Sequence, residues 1–179
     1  IWVTWSGGTG TAEDAFVSEE EAATGTKSVK IVGLNDMVAP FRDISEGHWI
    51  VKAKVFVPST MWGRLYFILL NRYSTACGGG CNWQVQIPMV ATSGTIHDDF
   101  GGGMLPLVVD EWAEIVAEID LTNNVHSIFY NDVPLTLSRV WDVSGNPRFQ
   151  GIDLYSFDCS GAYYDDVSVE RVCVPVEVE

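Results

Sequence analysis

The sequence predicts an all-β fold: two antiparallel sheets packed as a sandwich, with little or no helix. Three observations carry this. Short β-branched or aromatic runs succeed one another between Gly, Pro, Asn and Asp, almost no segment has helical apolar periodicity, and the longest apolar run, Leu65 to Leu70, suits a buried strand. A parallel α/β fold is excluded because its crossover helices are missing. With 179 residues, 47% of them hydrophobic, the chain can bury one sizeable core. We expect a single domain over residues 1–174, with 175–179 as a tail or the start of a linker.

The elements follow in order. Ile1 to Trp5 and Ala15 to Val17 open the chain. Ser18 to Ala23 is the one helix candidate, a single turn at most, in which Ser18 caps Glu20 and Glu21. Ser28 to Val32 and Met37 to Phe41 are short runs. In Gly47 to Val57, residues Trp49, Val51, Ala53, Val55 and Val57 share one face while Lys52 and Lys54 take the other. Arg64 to Leu70, Trp83 to Met89 and Thr95 to Ile96 come next. Trp112 to Leu121 turns Ile115, Ala117, Ile119 and Leu121 inward and Glu114, Glu118 and Asp120 outward. His126 to Tyr130, Val133 to Ser138, Phe149 to Phe157 and Tyr164 to Val172 complete the set. Strands with one apolar and one wet face belong to antiparallel sheets stacked about 10 Å apart.

Charge bounds the partners. Ten basic against 24 acidic side chains give a formal balance of −14, which argues against nucleic acid or an anionic membrane surface. No apolar run approaches the roughly 20 residues of a membrane span, so no membrane insertion is expected. The abrupt start at Ile1-Trp2-Val3 reads as a mature or excised piece. The four cysteines, at 77, 81, 159 and 173, lack the paired spacing of a zinc site. Disulfides in an export setting fit better. Cys77-Gly-Gly-Gly-Cys81 can close a small loop, because three glycines let the chain turn back far enough for the sulfurs to meet. Cys159 and Cys173 are left over, and a bond between them is local only if the last hairpin bends or ends early.

Several segments carry a family resemblance. They are Trp2-Val-Thr-Trp5-Ser6 with Gly10-Thr-Ala-Glu13-Asp14-Ala-Phe-Val-Ser18, then Gly25-Thr-Lys-Ser-Val-Lys-Ile31 and Gly47-His-Trp-Ile-Val-Lys-Ala-Lys-Val-Phe-Val57-Pro58. Trp112-Ala-Glu-Ile-Val-Ala-Glu-Ile-Asp-Leu-Thr-Asn-Asn124 and Tyr163-Tyr-Asp165-Asp166-Val-Ser-Val169 follow in the expected order. Together they resemble the concanavalin A-like jelly-roll modules attached to secreted bacterial proteins. The resemblance implies a laminin-G-like or carbohydrate-binding-module-like sandwich, an accessory domain of a larger secreted or cell-surface protein such as a glycanase, peptidase or adhesin. The Cys77 to Cys81 insertion departs from the pattern. The resemblance also implies a calcium ion stapling the first turn to the last strand, on Glu13 and Asp14 together with Asp165 or Asp166. Of the adjacent Asp165 and Asp166, only one can face a given side of its strand. Calcium takes about six to eight oxygens, and a Gly-rich turn beside carboxylates offers them.

Two further sets bear on chemistry. Sandwich-fold glycanases place acidic residues at alternate positions of one strand, and Glu114, Glu118 and Asp120 have that placement, but the run then continues as Leu-Thr122-Asn123. The plainer reading is the wet face of an amphipathic strand. For glycan binding, aromatic and amide side chains on a wet face matter, because rings stack on sugar CH faces and planar polar groups pair with hydroxyls. Arg64 and Tyr66, Gln84 and Gln86, and Asp153 and Tyr155 alternate with apolar neighbours and line one concave sheet, with Trp62 and Trp141 at its rim. Trp83 shares a face with Val85 and Ile87 and is expected in the core. The expectation is a noncatalytic carbohydrate-binding module that holds a polysaccharide or glycan on this sheet. The alternatives are a glycoside hydrolase or polysaccharide lyase using Glu114, Glu118 and Asp120, or a structural or adhesive spacer.

Overall fold

The computed structural model of the chain describes residues 1–42 and 44–172. Its strands are β1 (Val3–Thr4), β2 (Phe16–Ser18), β3 (Ser28–Gly33), β4 (Asp36–Pro40), β5 (His48–Phe56), β6 (Arg64–Arg72) and β7 (Asn82–Val90). They continue as β8 (Thr95–His97), β9 (Met104–Pro106), β10 (Trp112–Asp120), β11 (Val125–Tyr130), β12 (Val133–Val140), β13 (Gly151–Phe157) and β14 (Cys159–Val172). A 3-10 turn at Thr75–Cys77 is the one helical element among the described residues. All strand pairs are antiparallel. The front sheet has the order β1-β4-β13-β6-β7-β8-β9 and the back sheet β12-β11-β10-β5-β14-β3-β2.

The all-β, two-sheet reading of the sequence is therefore correct, and most expected strands appear within a few residues of their expected ends. Two elements differ. Ser18 Oγ does accept the Glu20 N–H at 3.1 Å, but no helical turn follows, because Glu20 and Glu21 are tied to later strands: Glu20 accepts the Tyr163 hydroxyl of β14, and the Glu21 carbonyl accepts the Ser28 hydroxyl of β3. β9, built on Met104 to Pro106, carries no β-branched residue and was not expected. Cys173 and the tail 175–179 lie outside the described residues, while Cys159 begins β14 and is buried.

The core follows the alternation. Val51, Ala53 and Val55 of β5 and Ile115, Ala117 and Ile119 of β10 face Leu65, Phe67 and Leu69 of β6, Val85, Ile87 and Met89 of β7, and Ile152 and Leu154 of β13. β6 is different, since its other face is buried too. Tyr66, Ile68 and Leu70, with Val38 of β4, form a second apolar cluster on the outer side of the front sheet, covered by Val3, Trp5, Tyr73 and Tyr155. The unbroken apolar run of β6 is the sequence form of a strand covered on both faces. Gly63 sets where that strand begins: it has φ +83°, and a Cβ there would overlap the Asp158 backbone, so only glycine fits.

Trp141, expected at a rim, is instead fully buried. Its indole N–H donates to Asn71 Oδ1 at 3.0 Å and to the Arg148 carbonyl at 2.7 Å. Its ring meets His126 and Phe149 edge-on, at 5.5 and 6.1 Å between centroids. With its one polar atom satisfied, the rest of this large side chain is free to seal the sandwich between β12 and β13. Burial also lowers the pKa of His126 to about 4, so the imidazole stays neutral. Trp141→Ala should cost about 3 to 5 kcal/mol in chemical denaturation. Trp62→Ala, at a side chain 57% exposed, should stay within about 0.5 kcal/mol of the parent.

Candidate functional site

The site begins with a β-bulge. Along the β6–β7 ladder Leu69 pairs with Val85 but Leu70 pairs with Trp83, so Gln84 is an extra residue in β7. A bulge reverses the face of everything on one side of it. Trp83 therefore leaves the face of Val85 and Ile87 and lies on the outer side of the front sheet, 38% exposed. This corrects the expectation that it is core. There it stacks on Trp5, 5.8 Å between centroids and 23° between planes.

Trp5 is held from both sides. Its N–H donates to the Asp36 carbonyl at 3.0 Å, and its own carbonyl accepts the Ala76 N–H at 3.0 Å and the Tyr73 hydroxyl at 2.8 Å. Those bonds dock the segment that carries the expected Cys77–Cys81 disulfide, whose Cα atoms lie 5.1 Å apart, against the end of β1. The result is an open cleft of about 420 Å³. Trp5, Trp83 and Cys77 wall one side and Tyr155 the other, with Ile68, Gln86, Asp36 and Asp153 between.

Asp36 and Asp153 are the unusual members. Asp153 is 2% exposed, and neither its Oδ1 nor that of Asp36 meets a donor in the fold. Two facing carboxyls can bond each other only if one keeps its proton. Burial pushes Asp36 up to about 6, with the charge of Glu13 adding to the rise. Burial, then the charge of Asp36, carries Asp153 well above the usual carboxylate range. Near neutrality the pair thus shares one proton and carries one negative charge. No Lys, Arg or His is among the side chains lining this cleft.

The expected glycan-face residues are partly brought together. Gln86, Asp153 and Tyr155 line the cleft. Tyr66 is 8% exposed and stacks beneath Tyr155, 5.4 Å between centroids, so it supports that ring and offers little face of its own. Gln84 pairs with Asn82 and does not line the cleft. Arg64 and Trp62 are exposed at the far end of β6, where the Trp62 N–H donates to Ser160 Oγ at 3.1 Å. Glu114, Glu118 and Asp120 sit on the outer face of the opposite sheet, paired across β5 with Lys54, Ile50 and His48.

The four carboxylates expected to hold calcium all accept hydrogen bonds from turn residues, Glu13 and Asp14 from nearby ones and Asp165 and Asp166 from the distant Ala23-Thr24 turn. Glu13 accepts from Ser6, at 3.0 Å from its N–H and 2.7 Å from its hydroxyl, and Asp14 accepts the Thr11 N–H at 2.7 Å. Asp165 accepts the Ala23 and Thr24 N–H groups, and Asp166 accepts the Thr24 hydroxyl at 2.6 Å. A bulge in β14, with Asp166 at φ +48°, lets both adjacent aspartates serve the same turn, which a regular strand would not allow. Among the described residues, no three His, Cys, Asp or Glu side chains gather as a metal-binding group. The residues present therefore do not assemble the expected calcium donor set.

No protein-family model and no curated protein matches the sequence. Solved structures do. The chain is similar to the cellulose-induced protein Cip1, with 15% identity and a TM-score of 0.62 over 97% of this chain and 98% of that one. It is similar also to the carbohydrate-binding module CBM66 from Bacillus subtilis, with 11% identity and a TM-score of 0.55 over 94% of each chain. A third is the catalytic domain of a glycoside hydrolase family 131 protein from Coprinopsis cinerea, with 8% identity and a TM-score of 0.58 over 99% and 86%. The fold is a two-sheet antiparallel jelly-roll sandwich. At these identities the likeness is one of architecture, and the cleft has to be read from this jelly roll's own residues.

Sequence reasoning missed Trp5, Trp83, Asp36 and Ile68. Trp5 and Asp36 end or begin short strands, where alternation has too few positions to assign a face. The carboxyl pair gives a stability signature. A carboxyl whose folded pKa is raised favours the fold only while protonated, so its contribution is complete below about 3.8 and is lost as pH rises through about 6. Asp153→Asn gives Asp36 an amide donor that needs no proton. The variant should melt above the parent at about pH 8, by on the order of 2 kcal/mol, and the gap should close toward about pH 4. Thermal melts of both proteins across that range check it.

Proposed function

We propose that this jelly roll is a noncatalytic carbohydrate-binding module of a secreted or cell-surface bacterial protein, holding a glycan in the cleft between Trp83 and Tyr155. The observation that carries the reading is the combination of exposed ring faces with buried, donorless carboxyl oxygens in one open cleft. Sugar rings present CH faces to aromatic rings and hydroxyl donors to acceptors, and this cleft offers both kinds of partner. Gln86 adds an amide, although its Nε2 already donates to Asp99 Oδ2 at 2.6 Å.

Three further facts support the reading. One of the similar structures, CBM66, is by name a carbohydrate-binding module. The Cys77–Cys81 disulfide suits an oxidising compartment. Among the described residues no helix is long and apolar enough to cross a membrane. Against the enzymatic alternative stand two features. The carboxyls of the cleft are in mutual contact, whereas glycoside hydrolysis needs the acid and its partner about 5 Å or more apart. The strand 114–120 carries its acids on an outer face, with Glu114 opposite Lys54, and of the three only Asp120 lines a cavity, beside His48 and Arg171.

The reading is tested with a panel of neutral, acidic and amino polysaccharides. At least one should bind, with no reducing ends or unsaturated products released. Trp83→Ala should weaken that binding by about 1 to 3 kcal/mol, as loss of an interface ring does elsewhere, with little loss of stability at a side chain this exposed. Glu118→Gln should bind as the parent does. Turnover that disappears in Glu118→Gln, or a bound glycan held equally well by Trp83→Ala, would overturn the proposal.

A further inference from the structure

We propose that the ligand of this cleft is a glycan with free amino groups, a glucosamine-containing polymer, one protonated amine of which seats on the Asp36 and Asp153 carboxyls while adjoining rings lie on Trp83 and Tyr155. This rests on the glycan-binding reading above and names the substrate class for it.

Two observations carry it independently. The first is charge without a counterion. Asp153 is buried with Oδ1 donorless, Asp36 beside it is likewise unpartnered at Oδ1, and no cationic side chain lines the cleft. Once Asp36 ionises, the floor carries a negative charge that the fold does not neutralise. A hydroxyl can donate to that charge but leaves it uncompensated. An ammonium group supplies up to three donors and cancels it.

The second observation is the wall. Trp5, Trp83 and Tyr155 line the same space, and the face of an aromatic ring attracts cations and repels anions. Rings and carboxyls thus agree in sign. A uronic or sialic acid would meet repulsion from both, and an N-acetylated sugar would bring no charge. The net balance of −14 favours the approach of a polycation over that of a polyanion. The titratable groups facing the carboxyls are Glu13 from the first turn, Tyr73 after β6, Tyr155 on β13 and Tyr164 on β14. None of these is a cation.

The test is isothermal titration of the whole chain at about pH 6.5, between the ionisation of Asp36 and that of an ordinary amine. Three oligosaccharides of equal length are compared: one of glucosamine, one of N-acetylglucosamine and one of glucose. The glucosamine oligomer should bind at least about tenfold more tightly than the other two, the scale of a charge-assisted hydrogen bond. The Asp36→Asn, Asp153→Asn double variant, which leaves no carboxyl in the cleft, should lose that preference. Glu118→Gln, which removes a carboxylate from the opposite sheet, should keep it. Equal binding of all three oligomers, or a preference that survives the double variant as general attraction to an acidic protein, overturns the inference and leaves glycan binding standing. Failure of every polysaccharide in the wider panel to bind overturns both.

Discussion

The structure turns on the need to cover β6 from both sides. Seven of its nine residues are buried, and the back sheet can reach only the face carrying Leu65, Phe67 and Leu69. Leaving Tyr66, Ile68 and Leu70 in water would expose one contiguous apolar surface at the centre of the front sheet. The burial of such side chains contributes roughly 1.5 to 3 kcal/mol each. The chain covers them with pieces from far apart in sequence: Val3 and Trp5 from the beginning, Tyr73 from the end of β6, and Tyr155 from β13. The cover is incomplete, and the cleft is the gap in it. Fold and site therefore share one cause, since the loop docking that shields Ile68 also positions Trp5 against Trp83.

The cleft is costly to maintain. A carboxyl beneath this cover loses water, and the structure gives Asp153 no backbone donors in exchange, unlike Asp142, whose turn donates Ser144 and Asn146 N–H groups and holds its pKa down despite burial. The two aspartates are both shielded, yet one is satisfied inside the fold and the other is not. A buried polar group that the fold leaves without a partner destabilises it by about 1 to 3 kcal/mol, more if charged. Perturbed carboxyls of this kind concentrate where proteins meet ligands. Asp142 shows that this chain can satisfy a buried carboxylate with a turn, so the state of Asp153 is not a general weakness of the fold.

How much of this was legible in the sequence depends on the length of each regular run. β5 and β10 alternate over nine residues each, long enough for the period of two to settle which side chains are inside, and the sandwich follows from them. The CGGGC loop closes as its spacing implies. Gln86, Asp153 and Tyr155 were placed on the right face because β13 and the later part of β7 are regular. Trp83 was not, because one extra residue at Gln84 inverts the count, and nothing in Asn82-Trp-Gln-Val85 marks a bulge. Trp141 looked like a connection residue because its partners, Asn71 and the Arg148 carbonyl, come from other segments. The failures are all failures of long-range information: which loop lands on which strand, and where a ladder slips.

The two acidic sets of the chain show why position decides chemistry more than residue type does. Glu114 and Glu118 share a strand face, as a catalytic carboxylate run would, but Glu114 lies opposite Lys54 and the face is open to water, where charges are screened within a few ångströms of solvent. Asp36 and Asp153 are 117 positions apart in the sequence and form no motif, yet the β4–β13 ladder sets Asp36 opposite Tyr155 and Asp153 opposite Val38, one diagonal step from each other on one face. Burial then makes their mutual repulsion effective, because the low-dielectric surroundings that raise both pKa values also strengthen every interaction between them. The acidic run that is conspicuous in the sequence lies on a face with Lys54 across from it, and the pair that no sequence pattern announces is the one whose charge the fold leaves unanswered.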